Sequence, residues 1–167
     1  MQQAQTHTIS VLVENEFGVL SRVAGLFSGR GFNIESLSVA PTNEEGMSRM
    51  TIVTSGDANI LEQINKQLNK LIDVIKVIDF TDGSGVEREM ALIKVSAEDD
   101  SRAEVLRIVD IFRAKIIDVT PKSYTIEATG APAKIEAILD LLRPLGLKEL
   151  VRTGAVAIGR GAKGWKG

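Results

Sequence analysis

The chain contains no cysteine, so disulfides and thiolate-bound metals are excluded at the outset. Such a chain is at home in the reducing cytoplasm, the expected compartment. There is one histidine, His7. Alone and near the N-terminus, it reads as a solvated residue and not as a catalytic base or metal ligand. Aromatic residues make up only 4% of the chain and the formal net charge is −2. Together these remove the stacking surfaces and the positive field that nucleic-acid binding requires. No apolar run approaches the ~18 residues of a membrane span. The opening MQQAQTHT lacks the basic start and apolar middle of a signal peptide. Neither nucleic acid nor membrane is therefore an expected partner. What is present is 44% hydrophobic and 25% charged residues in 167, the balance of a soluble globular protein with one domain or two small ones.

The patterning repeats. Residues 8–14, TISVLVE, alternate Ile9, Val11 and Val13 as a strand does. Val19, Leu20, Val23, Ala24 and Phe27 have the spacing of an amphipathic helix over 19–29, which GRGFN ends. ESLSVAP and MSRMTIVTS read as strands around the turn PTNEEG. Asp57 suits an N-cap for a helix whose stripe is Ile60, Leu61, Ile64, Leu68 and Leu71, and VIKVIDF closes the unit as a strand. Gly83, Ser84 and Gly85 mark a linker. After it the order recurs: MALIKVSA, a helix through Val105, Leu106, Val109 and Phe112, KIIDVTP, SYTIEAT, a helix through Ile135, Ile138, Leu139 and Leu142, then LKELVRTG. The expected class is α+β, two tandem ferredoxin-like βαββαβ domains, residues 1–82 and 83–167, the second ending in a short basic tail.

The loop before the first helix, ENEFG, ends on Gly18. The first N–H groups of a helix lack partners within it, and the helix dipole adds partial positive charge there. A carboxylate could sit on the N–H groups of Gly18, Val19 and Leu20, with glycine permitting close approach. Asn33, at the start of the next strand, offers both a donor and an acceptor. The set suits a small zwitterion. The plainer reading is a turn that Asn15 caps and Gly18 merely shapes. The second repeat favours the ligand: its loop AEDDSRAEV has no glycine and three acids, and Ile116 of KIIDV takes the expected place of Asn33.

The stretches ENEFGVLSRVAGLFSGRGFNIESLSVAPT, MSRMTIV, LEQINKQLNKLIDVIKV, VEREMALIKV and FRAKIIDVTPKSYTIEATG resemble the regulatory (small) subunit of acetolactate synthase, also called acetohydroxyacid synthase. The likeness spans nearly the whole chain. It implies an amino-acid-binding ACT domain in the first repeat, which dimerises, and a related C-terminal domain. It implies feedback inhibition by a branched-chain amino acid, usually valine, and activation of a separate catalytic large subunit that carries thiamine diphosphate, Mg2+ and FAD. No cofactor and no catalytic residue are then expected on this chain. In that family the amino acid sits between two ACT domains, with Asn15, Gly18, Val19 and Leu20 on the helix-start side and Asn33 and Ile34 on the strand side from the partner chain. Phe17 departs from the small residue expected there.

Two other signals carry less. Gly159, Gly161 and Gly164 have G-x-G-x-x-G spacing, but a dinucleotide site needs a helix and a later acid, and the tail reads as frayed. A small ferredoxin-like hydrolase would use Asn33 with Arg22 or Arg30, which fall in the first helix and at its end, where arginines are usually solvated. A sensor of a different amino acid is the nearest alternative.

Overall fold

A computed structural model describes residues 5–98 and 100–166. In chain order the elements are β1 (Gln5–Glu14), α1 (Val19–Ser28), β2 (Asn33–Pro41), β3 (Met47–Gly56), α2 (Ala58–Leu68), β4 (Val74–Asp79), β5 (Gly85–Ser96), α3 (Ser101–Ile111), β6 (Lys115–Val119), β7 (Ser123–Gly130), α4 (Pro132–Leu142), a 3-10 turn (Arg143–Leu145), β8 (Leu147–Arg152) and β9 (Val156–Gly159). The chain divides into two compact units: Met1–Val86 together with Ala155–Gly167, and Glu87–Gly154.

In the first unit the sheet runs β2-β3-β1-β4, with antiparallel pairing throughout. Both helices cover one face. Ile9, Val11, Val13, Met50 and Ile52 from the strands meet Val19, Val23, Phe27, Leu61, Ile64 and Leu68 from the helices, all buried. Each such side chain contributes roughly 1.5–3 kcal/mol of transfer free energy. Asp57 caps α2 as expected, its carboxylate accepting from the Asn59 N–H at 2.7 Å. The second unit repeats the plan in the order β6-β7-β5-β8. Its core joins Ala91, Ile93, Val95, Tyr124 and Ile126 to Val105, Ile108, Ile135, Ile138, Leu139 and Leu142. The α+β class and the two βαββαβ repeats are therefore as the sequence suggests.

Three readings change. First, β1 begins at Gln5 and is buried on both faces from His7 to Val13. Ser10 and Leu12, which face away from the helices, are as hidden as Ile9. Second, Ser10 and Leu12 are covered by the segment 155–166, which does not fray: its strand β9 pairs with β5, and the segment groups with the first unit. It lies on the helix-free face of the first sheet, with β9 against β1. The Ala157 N–H donates to Thr51 Oγ1 at 3.4 Å, the Arg160 N–H to the Ser84 carbonyl at 3.2 Å, and Lys76 Nζ to the Trp165 carbonyl at 2.5 Å. Lys166 pairs with Glu44 at 2.5 Å. Third, His7 is not solvated. Its ring is 2% exposed, with Nε2 at 3.2 Å from the Gly56 carbonyl and Nδ1 at 3.3 Å from Thr81 Oγ1.

Candidate functional site

The loop between β1 and α1 is held at its root. The Glu14 N–H donates to the Asp73 carbonyl and the Asn15 N–H to the Gly46 carbonyl, both at 2.8 Å. Gly18 then turns the chain into the helix with φ 77° and ψ −1°. That left-handed conformation strains a side-chain-bearing residue, which accounts for glycine there. No side chain caps α1. Asn15 is exposed and does not bond to the helix start, so the reading in which it caps the turn is set aside. The Arg22 N–H reaches the Gly18 carbonyl at 3.0 Å, the first helical bond.

One cation leans over this start. Arg22 donates through Nε and Nη2 to Asp73 Oδ2, at 3.0 and 2.5 Å, and through Nη2 to the Phe17 carbonyl at 3.4 Å. A Cβ built on Gly18 would lie 3.1 Å from Arg22 Nη1. The guanidinium thus stands over the glycine and adds positive charge to the positive end of the helix. Asp73 offsets it, and such an exposed pair is worth at most about 1 kcal/mol. Arg22 is therefore not simply solvated, whereas Arg30 reaches only the Leu26 carbonyl at 3.4 Å.

Of the residues singled out from the sequence, Asn15, Gly18 and Leu20 are exposed around this loop, while Val19 turns into the core. Phe17 is fully exposed, a large apolar side chain with nothing against it. Asn33 and Ile34 lie elsewhere. They begin β2, where Asn33 pairs with Ser55 and its carbonyl accepts from Thr54 Oγ1 at 2.6 Å. The ten residues of α1 lie between, a rise of about 15 Å. One chain therefore does not bring the two groups together. β2 is an edge strand of its sheet.

The second unit serves as an internal comparison. Its β5–α3 loop is the same length and rooted the same way: the Ser96 N–H donates to the Gly146 carbonyl and the Ala97 N–H to the Lys122 carbonyl. Asp100 then occupies the place of Gly18, Glu104 that of Arg22 and Gly146 that of Asp73. β2 has a register shift between Ile34 and Ser36, and β6 an equivalent one between Ile116 and Asp118. Ile116 thus corresponds to Ile34, and Lys115, not Ile116, to Asn33. The sequence places Ile116 opposite Asn33, one residue out, because nothing in the composition of NIES and KIID marks which residue opens the strand. Among the described residues of the second loop, the glycine entry and the arginine–aspartate pair of the first have no counterpart. The Arg22–Asp73 pair was missed because its partners are far apart in sequence and no local spacing signals it.

A four-stranded antiparallel sheet with two helices on one face and β2 at its edge, entered through an uncapped, glycine-started helix, has the ACT-domain plan and is followed by a second copy of it. A family model described as "AHAS small subunit-like ACT domain" matches residues 9–76, and one described as "Small subunit of acetolactate synthase" matches residues 88–161. The acetolactate synthase small subunit of Mycolicibacterium smegmatis is 54% identical over 159 residues, 95% of this chain and 94% of the relative. The probable acetolactate synthase small subunit of Archaeoglobus fulgidus is 56% identical over 157 residues, 94% and 98% of the two chains. The crystal structure of the small subunit from Thermotoga maritima superposes with a TM-score of 0.84 at 45% identity, covering 95% of this chain and 99% of that one. The chain belongs to the acetolactate synthase small-subunit family.

Proposed function

We propose that this chain senses a branched-chain amino acid, valine foremost, and passes the signal to the catalytic large subunit of acetolactate synthase. Without effector it activates that subunit; with effector it inhibits it. The thiamine diphosphate, Mg2+ and FAD of the reaction belong to the large subunit, and the chain itself is not catalytic. Residues 1–82 sense and dimerise, while the C-terminal domain completes the regulatory subunit.

The observation that carries this reading is the separation of the two polar groups by the length of α1 within a first domain whose β2 edge is open. A two-fold axis along that edge would bring the Gly18 loop of one protomer to Asn33 of its partner. The ligand carboxylate then takes the N–H groups at the α1 start, the ammonium takes the Asn33 side-chain carbonyl, and Leu20 and Ile34 border the aliphatic side chain. Each half-site is incomplete alone, so effector binding and dimerisation are linked.

Calorimetric titration of the chain with valine, leucine and isoleucine tests the ligand, and assay of the large subunit with and without the chain tests the coupling. Saturable binding of valine together with valine-dependent loss of activation is the expected result. Binding of none of the three would reject the effector class.

A further inference from the structure

The helix-free face of the first sheet carries a feature that amino-acid sensing does not use. Cross-strand registers set Ala40, Arg49, Leu12 and Lys76 in one row and Ser38, Thr51, Ser10 and Ile78 in the next. Over these rows lies the segment 155–166. Between them is a cleft of about 330 Å³, bordered by Arg49, Val39, Asn43, Val156 and Trp165. It adjoins a wider cleft of about 660 Å³ that shares Arg49 and Trp165 and adds Lys76 and Lys163. All of these residues belong to the first unit.

Arg49 is the anomaly. It is partly buried on a sheet face, where desolvation lowers its pKa. Its Nε donates to the fully buried Ser10 Oγ at 2.6 Å, which fixes the guanidinium plane. Among the described residues no carboxylate pairs with it; the half-buried Arg30 and Arg102 also lack one, but Arg30 turns back to the Leu26 carbonyl and Arg102 lies over the Tyr124 ring, whereas Arg49 faces a cleft. The only acid bordering the wider cleft, Glu44, is taken by Lys166. A partly buried, oriented guanidinium without a counter-ion, in a cleft bordered by Ala40, Val156 and an indole, is suited to an anion with an apolar body. Its planar fork matches a carboxylate or a phosphate oxygen pair, and the volume matches a small organic molecule.

We propose that this cleft is a second ligand site, which takes a small organic anion with its charged group on Arg49 and its apolar or planar body between Ala40, Val156 and Trp165. Since the segment 155–166 forms one wall, occupancy holds that segment against the sheet.

Trp165 is the chain's single tryptophan and borders the cleft, so dye bound there lies beside the donor, and the Arg49→Gln variant and the competitors below separate that dye from dye bound elsewhere. The full-length chain is titrated with 8-anilinonaphthalene-1-sulfonate while Trp165 is excited and energy transfer to the dye is read. Saturable transfer at one site per chain is expected, with affinity weakened about tenfold or more in Arg49→Gln, the loss of one charge-assisted contact. In the unaltered protein, benzoate and phenyl phosphate are expected to displace the dye, and the better competitor identifies the anion chemistry. Benzyl alcohol, with the same ring and no charge, should not displace it. Absence of saturable transfer, equal affinity in Arg49→Gln, or displacement by benzyl alcohol as readily as by benzoate would each overturn the proposal. The last comparison needs no variant, so a folding defect in Arg49→Gln does not weaken the test.

Discussion

Gly18 and Asn33 are where single substitutions speak most directly. In Gly18→Asp the new carboxylate would face Arg22 Nη1, now 3.1 Å from the Cβ position, and draw that cation from Asp73. It would also occupy the helix start with negative charge, the place proposed for the effector's own carboxylate. Aspartate tolerates a left-handed conformation better than most residues, so the fold is expected to persist. Valine inhibition should weaken about tenfold or more while activation of the large subunit is retained, measured as activity against valine concentration. Asn33→Lys, which copies Lys115 of the second unit, should do the same by losing the ammonium's acceptor. Unchanged half-inhibition in both variants would remove this loop and strand from the effector site. In the second unit, Glu89 is 6% exposed and receives Arg152 through Nε at 2.8 Å and Nη2 at 2.5 Å, while Glu136 takes the remaining arm. Arg152→Ala leaves a buried carboxylate unpaired. It should cost about 3–5 kcal/mol in denaturant unfolding, and the double variant Arg152→Ala with Glu89→Leu should recover part of that loss.

At the scale of elements, what the sequence could declare depended on whether its physics is local. Helix periodicity and the Asp57 cap were legible because each lies within a few residues, and Asp57→Ala should cost about 1 kcal/mol in thermal unfolding. Gly18 was legible as the glycine that ends the loop before α1, and Asn33 as an amide at the start of β2. The placement of Asn33 against its repeat was not, since only the strand pairing, Asn33 with Ser55 and Lys115 with Glu127, fixes which residues correspond. Nor was the burial of Ser10 and Leu12 on the second face of β1, which depends on a segment nearly 150 residues downstream, nor that of His7 beside α2, whose partners Gly56 and Thr81 are distant in sequence. The glycine-rich composition of that segment suggested disorder, while its anchors at Thr51, Ser84, Lys76 and Glu44 are all distant. Ending the chain at Gly154 should therefore expose Leu12 and the Arg49 face. The expected result is a lower melting temperature and increased hydrogen exchange in β1 and β3, with α3 and α4 unaffected.

For the molecule as a whole, the linkage between effector and association is the quantity to measure. If the proposed site needs two protomers, valine should shift the monomer–dimer equilibrium toward dimer in sedimentation, and its apparent affinity should fall as the protein is diluted. A strict monomer at high concentration that still binds valine fully would rule out the shared site. The same reciprocity governs the complex with the large subunit, where a coupling of about 1–3 kcal/mol is the common range, so the state that is active should bind valine more weakly.

The division of the chain also imposes an order of events during synthesis. Glu87–Gly154 is one uninterrupted stretch, whereas the first unit needs residues from both sides of it. On a ribosome, β1 to β4 emerge first but cannot cover their helix-free face until the entire second unit has been made and Ala155 onward follows. Over that interval Ser10, Leu12 and Arg49 stand open to solvent and to chaperones. Closing the helix-free face of the first unit therefore depends on residues that follow the whole of the second, so any truncation within either unit leaves that face open.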